Sequence, residues 1–237
     1  MDQAPTARHH RRPSVHTADV NQTLQVLTSR AGRGLVAAGK PTQAGDDLAW
    51  AWFNLGAAGM GRSIIERLAG GDMDPQLAEV FDEPWDILEV AAMSLAFEDV
   101  MTALDLAADA VLLMCGEPLR TTGQFYDMGQ LKKMHHRLAA PIFIRAWIDH
   151  LVQHPDLKLL EECRHPLTHR YVRRHIGVRV GGTNSGRALS EITTLHGRGA
   201  PRGRGSLGVL IPQLVTFGEA QVEALCQAIL SDFPAPQ

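Results

Sequence analysis

Apolar residues recur along much of the chain at spacings of three and four, the spacing that lines one face of an α-helix. The longest run of this kind covers 84–115. It opens with Pro84 and is followed by Gly116 and Pro118, residues that favour a helix start and a helix end respectively. Its Leu- and Ala-rich composition also favours a helix over a strand. This run is therefore predicted to be the central helix of a bundle.

Similar patterns on both sides of this run predict further helices. They cover 19–30, 46–68 with a kink or a close helix contact at its clustered glycines, 75–81, 125–153 with a kink at Pro141, and 217–230. The predicted fold class is all-α, a helical bundle with long central antiparallel helices.

The polar and glycine-rich stretches divide the chain into one domain with two tails. Residues 1–18 are basic and aperiodic and are expected to be a disordered tail, residues 19–232 form a single helical domain, and 233–237 are a second tail. Within the domain, 177–208 is rich in glycine and arginine, and only 188–195 has helical promise. We predict a flexible loop at 177–208, which is either a disordered connection or a contact for single-stranded nucleic acid.

Composition and charge narrow the class of protein. The chain has 237 residues, 45% of them hydrophobic, which is enough for a full core, and its formal charge of −3 gives no overall field that attracts nucleic acid. Its three cysteines are widely spaced, which fits neither a disulfide framework nor a zinc ligand set and favours a reducing cytoplasm. No segment is apolar enough for a signal peptide or a membrane span, so we expect a cytoplasmic protein with no membrane partner.

Basic and proton-transferring side chains concentrate at 161–170. The residues with this chemistry are Arg164, His165 and His169. Beside them stands Pro166, which has no N–H and fits best at the first position of a helix. We therefore predict a short helix over 155–163 and a new helix, 166–176, that begins at Pro166. The free N–H groups of that helix start, with the arginine beside them, would make a site for a phosphate.

Carboxylates on the central helix offer one further element of a site. Asp105 and Asp109 share a face with Glu98 and Thr102 at spacings of three and four. The stripe is either a solvated helix face or a source of carboxylates that orient the arginine at 164. Asp105 and Asp109 are the candidates for that second role.

Two arrangements of histidine and glutamate raise the question of a metal. His150 and His154 stand four residues apart, but no second liganding helix accompanies them, so they are interpreted as surface histidines. A helical metal enzyme would instead use the set Glu161, Glu162, His165 and His169. Pro166 disfavours the unbroken helix that this set requires. We therefore predict neither a metal nor a cofactor.

Arg164 and His169, with the polar His165 directly after the arginine, match the Arg-polar-x(3)-His motif of the HEPN superfamily. The order of elements is also similar, with a long helix containing Ala103-Leu104-Asp105-Leu106-Ala107, a second long helix, and then the motif. The chain thus resembles a HEPN domain over about 84–176. His165 stands where the family more often has Asn or Asp, and Pro166 inside the motif is a departure that stiffens it.

The resemblance implies an all-α bundle that forms a homodimer, with two copies of the motif lining one cleft. In active members it implies metal-independent endoribonuclease activity, for which the catalytic residues would be Arg164, His165 and His169. RNA would be bound by the arginines Arg170, Arg173, Arg202 and Arg204.

Such an enzyme would serve as a toxin or defence component, with an antitoxin or regulatory protein as a further partner. Many HEPN members bind nucleotides or proteins without cutting RNA. The alternative is therefore a non-catalytic module that binds nucleotide or RNA, or assembles with a partner.

Overall fold

A computed structural model of the chain describes residues 15–69, 84–119, 125–168 and 200–236, together with 182–183, 186–187 and 191–196. Side chains are described for the same ranges except 15–21, 84–87, 90 and 164–206. The helix expected at 75–81 and most of the tail expected at 1–18 lie outside the described residues.

Helices form most of the described chain, and the helical bundle expected from the sequence is confirmed. They are α1 (Val15–Ala37), α2 (Thr42–Ala69), α3 (Pro84–Met93), α4 (Asp99–Met114), α5 (Met128–Met134), α6 (Ile142–Gln153), α7 (Pro155–Thr168) and α8 (Leu207–Asp232). A π-helical segment, Ser94–Glu98, joins α3 to α4, and a 3-10 turn, His135–Arg137, follows α5. The long helix predicted over 84–115 is therefore confirmed, with the π-helical segment inside it.

The described parts of the glycine- and arginine-rich stretch form short antiparallel β-strands. These are β1 (Gly182–Thr183) paired with β2 (Gly186–Arg187), and β3 (Glu191–His196) paired with β4 (Ala200–Ser206). The helical promise noted at 188–195 is not realised over 191–195, where the β-branched residues of β3 favour an extended backbone. The loop predicted to reach residue 208 is corrected as well, since β4 and the start of α8 occupy its end.

The core lies between α2 and α4; α8 packs against both of these helices, and α1 packs against α2 and α8. α4 is buried along nearly its whole length, as expected for a central helix. A glycine lets α2 and α3 approach each other closely. A Cβ on Gly61 of α2 would lie 2.7 Å from the carbonyl oxygen of Ala92 in α3. The close helix contact predicted at the glycine cluster is confirmed at Gly61.

The single helix predicted over 125–153 is two helices, because the chain breaks at Pro141. Pro141 has a φ of −58° and a ψ of 166°, and α6 begins at the next residue. The carboxylate of Asp232, at the end of α8, accepts the N–H groups of Phe143 and Ile144 at 3.4 and 2.9 Å. This carboxylate accepts N–H groups that the start of α6 leaves without a partner inside the helix, so Pro141 precedes a helix instead of kinking one.

The first helix continues past the glycines that were expected to end it, and the last helix begins earlier in the chain than expected. α1 continues through Gly32 and Gly34, and α8 begins at residue 207 and contains Pro212. A Cβ on Gly34 would collide with the carbonyl oxygen of Phe233, so this glycine serves close packing inside α1. Pro212 lies near the start of α8, where it removes a single main-chain hydrogen bond.

Charged residues interrupt the apolar faces of the helices. Even α4, the most completely buried, contains Asp99, Asp105 and Asp109. No helix in the described ranges is both long and apolar enough to cross a membrane.

Candidate functional site

The helix α7 carries Arg164 and His165 and runs without a break from Pro155 to Thr168. The helix start predicted at Pro166 is therefore wrong. So is the phosphate site at that start, because no free N–H groups are presented there. Pro166 removes the main-chain hydrogen bond to the carbonyl of Glu162, and packing of the helix's apolar face offsets this loss. A phosphate near this turn would have to be held by side chains.

The apolar face of α7 fixes this helix against the bundle. Leu157, Leu160 and Cys163 are buried at spacings of three, and α7 contacts α4, α6, α8 and the π-helical segment. Burial raises the pKa of the Cys163 thiol to about 12, so this residue packs and is not a nucleophile at neutral pH. Arg164 directly follows this buried cysteine, so the backbone of the motif is attached to the core.

His154 closes the start of α7. Its Nδ1 accepts the N–H of Asp156 at 3.2 Å, and Gln213 of α8 donates to the Asp156 carboxylate at 2.8 Å. The His154 ring also lies 4.7 Å from that of Phe217 and 5.2 Å from that of His150, between centroids. His150 is exposed, as predicted, whereas His154 is a half-buried residue that caps a helix.

An ion pair joins α7 to α5 one turn before His165. Lys132 Nζ lies 2.5 Å from Glu161 Oε1, and the two side chains are 30% and 37% exposed. The pair ties α5 to the helix that carries the motif. Glu161 is also the first residue of the alternative metal set, so in this structure that carboxylate is already paired with a lysine.

Asp105 and Asp109 are buried, so the interpretation of their stripe as a solvated face is wrong. Their Oδ1 atoms accept the main-chain N–H groups of Met128 and Tyr126 respectively, each at 2.9 Å. The two carboxylates therefore fix the segment that leads into α5, and α5 in turn is paired with α7. Their expected role in orienting the arginine of the motif stays a prediction, since the side chain of that arginine is not among those described.

Asp47 of α2 adds a third buried acid, which the sequence analysis missed. Its Oδ1 accepts a hydrogen bond from Gln43 Nε2 at 2.8 Å, whereas its Oδ2 meets no N–H donor. Burial, together with the adjacent Asp109 carboxyl, raises the pKa of Asp47 to about 7. Retaining a proton relieves the Asp47 carboxyl of a charge that burial disfavours. The spacing in the sequence did indicate that Asp47 is buried, because it stands three residues after the buried Ala44 and four before the buried Ala51.

The structure describes the backbone of two parts of the expected site, which lie on elements connected through β3. Arg164 and His165 are consecutive residues near the end of α7, and β3 contacts this helix. Arg202 and Arg204 lie on β4, the strand paired with β3. The remaining expected site residues lie outside the described part of the chain, namely His169, Arg170 and Arg173.

Two shallow depressions lie along α8, the first beside the start of α7 and the second beside α6. One, of about 490 Å³, is lined mainly by His154, Asp156, Gln213, Thr216 and Phe217. The other, of about 350 Å³, is lined mainly by Phe143, Trp147, His150, Gln227 and Ser231. They combine ring faces with amide and hydroxyl groups, which suits a planar polar ligand.

Among the described side chains, no group of three or more His, Cys, Asp or Glu residues is arranged to hold a metal ion. The objection to the metal set based on Pro166 is wrong, since α7 is continuous through this residue. What counts against the set is the engagement of Glu161 with Lys132. Because His165 is described only through its backbone and His169 lies outside the described ranges, the metal set stays an alternative hypothesis.

Comparisons with known proteins leave the family of the chain open. No family model matches the chain, and neither the curated proteins nor the solved structures give a match. The case for a function therefore depends on the chemistry of the residues around α7.

Proposed function

We propose that the chain is a HEPN-like metal-independent endoribonuclease. Its site would lie at the end of α7, where Arg164 and His165 are followed by His169 at the spacing of the Arg-polar-x(3)-His motif. The observation that carries the proposal is the contact between α7 and β3. This contact joins the motif helix to a hairpin that bears Arg202 and Arg204, which supports a shared role for the motif and these arginines.

RNA carries its own nucleophile, so the reaction requires little covalent chemistry from the protein. The 2′-OH attacks the adjacent phosphorus, the bond to the 5′ oxygen breaks, and the products end in a 2′,3′-cyclic phosphate and a 5′-OH. His169 would accept the proton of the 2′-OH or donate one to the leaving oxygen, and in a dimer two copies would divide these roles. These steps require no metal.

Arg164 would stabilise the charge that accumulates on the phosphate. Its guanidinium presents paired N–H donors that match two phosphate oxygens, and such charge-assisted bonds strengthen as the transition state forms. His165 would position the phosphate or transfer a second proton. Arg170 and Arg173, with the hairpin arginines, would bind the flanking RNA backbone through charge.

The surroundings of α7 suit a site that must hold its geometry. The helix is fixed by its buried apolar face, by the ion pair between Lys132 and Glu161, and through α5 by the bond from Met128 N–H to Asp105. Groups that are held in place before the substrate binds lose less entropy in the transition state. This support favours a catalytic use of the motif.

A non-catalytic binding module is the second candidate, and the depressions along α8 favour it. They are lined by the exposed rings of Phe143 and His150 and by the edges of the buried rings of Trp147 and Phe217. A base stacked on an aromatic side chain contributes about 1–3 kcal/mol. A nucleotide or RNA could bind these rings without contacting the motif.

Incubation of a mixed-sequence RNA with the protein in EDTA distinguishes the two candidates. We expect cleavage by the wild type and by His136→Ala, a control at an exposed histidine of the 3-10 turn, and none by His169→Ala. Cleavage that persists in His169→Ala would contradict the proposal. Binding of RNA without cleavage, weakened by Phe143→Ala, would support the second candidate instead.

The proposal extends to a role as a toxin or defence component that an antitoxin or regulatory protein restrains. Expression of the wild type in a bacterial host would then arrest growth, whereas His169→Ala would not. Equal growth of both strains, with both proteins present in the cells, would contradict this role.

A further inference from the structure

A strip of large apolar side chains lies exposed on the outer face of α2. Trp50, Phe53 and Met60 are 57%, 59% and 61% exposed, and the rings of Trp50 and Phe53 stand edge to face with centroids 5.6 Å apart. Other residues of α2 already supply the face that packs into the core. A second apolar face on the same helix indicates a second contact, because monomers rarely expose several large apolar side chains together.

The exposed strip follows the spacing of helices that pack along their length. Steps of four and three residues alternate through Asp46, Trp50, Phe53, Ala57, Met60, Ile64 and Arg67. This heptad spacing keeps one seam of side chains facing a partner helix. The middle of the seam is apolar, with the small residue Ala57 at its centre, and a charged residue stands at each end.

The charges at the two ends are complementary to those of a second copy that runs antiparallel. Asp46 and Arg67 are both exposed. A twofold axis near Ala57 would bring each Asp46 to the end of the helix that carries the partner's Arg67. A parallel arrangement would instead set like charges against each other, which is unfavourable. The small residues Gly56 and Ala57 at the axis would let the two backbones approach closely.

We infer that the outer face of α2 is an interface between two copies of this chain, packed antiparallel. The seam from Asp46 to Arg67 is about 32 Å long. A single helix pair of this length is a small interface beside the roughly 800 Å² per partner of a standard one, so we expect a weak dimer. The inference goes beyond the proposed ribonuclease, since it concerns α2 and is tested without RNA. A dimer built around the motif on α7 would instead survive substitutions in α2, so the two arrangements are distinguishable.

Sedimentation equilibrium of the full chain, over about 1 to 200 µM, tests the inference. The wild type is expected to dimerise, whereas Trp50→Glu and Phe53→Arg are expected to be monomeric with an unchanged melting temperature. Val209→Glu alters a residue of α8 that is 63% exposed, and it is the matched control that should dimerise like the wild type. A wild type that stays monomeric, or a dimer that survives both α2 substitutions, overturns the inference.

Exchange of the end charges tests the antiparallel arrangement. Asp46→Arg and Arg67→Asp should each weaken the dimer by about tenfold, because each reversal creates repulsion at both ends of the seam. The double variant should dimerise nearly as well as the wild type. If the double variant is weaker than either single variant, the antiparallel arrangement is overturned.

Discussion

Asp47 of α2 and Asp109 of α4 are neighbouring buried acids between the two central helices, and the Asp109 carboxyl is one of the groups that raise the pKa of Asp47. Burial is the larger cause of this raised pKa. Asp109 itself accepts the N–H of Tyr126 at 2.9 Å. Two neighbouring ionised carboxylates, both removed from water, would repel each other strongly.

This pair predicts an unusual dependence of stability on pH. In the unfolded chain Asp47 ionises near its ordinary pKa of 3.8, whereas in the folded chain its pKa is about 7. The folded chain holds the extra proton between these values, so the free energy of unfolding falls as the pH rises from about 4 to about 7. The fall ends above pH 7, where the folded chain has lost the extra proton as well.

The substitution Asp47→Asn tests this dependence. An amide has no proton to titrate in this range, so the decline between pH 4 and pH 7 should disappear and the variant should be more stable than the wild type at pH 8. Urea unfolding at a series of pH values measures both effects. Asp149→Asn, at an exposed acid of α6, should keep the wild-type slope. Parallel curves for the wild type and Asp47→Asn would refute the protonated state of Asp47.

A second prediction concerns the attachment of α5 to α4. Asp105→Ala removes the acceptor of the buried Met128 N–H and should lower the free energy of unfolding by about 1–3 kcal/mol. Asp105→Asn keeps an oxygen acceptor and should lose less than half as much. Urea denaturation of both variants provides the comparison, and equal losses would show that this hydrogen bond does not hold the segment.

A third prediction concerns the close approach of α2 and α3. Gly61→Ala places a Cβ 2.7 Å from the carbonyl oxygen of Ala92 and should cost about 1–3 kcal/mol, because neither backbone can yield easily. Gly59→Ala meets no atom within 4 Å and should stabilise α2 by up to about 1 kcal/mol. Thermal unfolding of the two variants measures these effects. If Gly61→Ala is as stable as the wild type, α2 and α3 are farther apart than the 2.7 Å contact implies.

The sequence predicted the helices well, but tertiary contacts decided where they end. Apolar spacing located α2, α4, α6 and α8, because that spacing records which face is buried. Pro141 breaks a helix because the carboxylate of Asp232 is available to cap the next one. Pro166 does not break α7, whose apolar face packs on the core. The spacing of residues within a helix does not reveal either of these partners, because both come from other parts of the chain.

The candidate site was predictable in part. Spacing placed Asp105 and Asp109 on one face of α4, but it could not show that this face meets the segment before α5 instead of water. Arg164 was expected between two helices but lies inside α7, and the contact of that helix with β3 depends on strands that the glycine-rich sequence did not indicate. The motif itself was visible only as a spacing of residue types.

A fourth prediction concerns Arg164. If it stabilises the phosphate in the transition state, Arg164→Ala should lower the cleavage rate by about a hundredfold or more, which corresponds to about 3 kcal/mol. The melting temperature should change little. Arg137→Ala, at an exposed arginine of the 3-10 turn, is the control and should cleave at the wild-type rate. A loss of melting temperature that parallels the loss of activity would assign Arg164 a structural role.

The most direct test of the ribonuclease account uses two oligonucleotides that differ by one oxygen. A site that the wild type cuts in EDTA is prepared once with a ribonucleotide and once with a 2′-deoxynucleotide at the residue that supplies the 2′-OH. The account predicts a 2′,3′-cyclic phosphate end from the first and no cleavage of the second. Equal cleavage of both, or no cleavage of any RNA by the folded wild type, would contradict it.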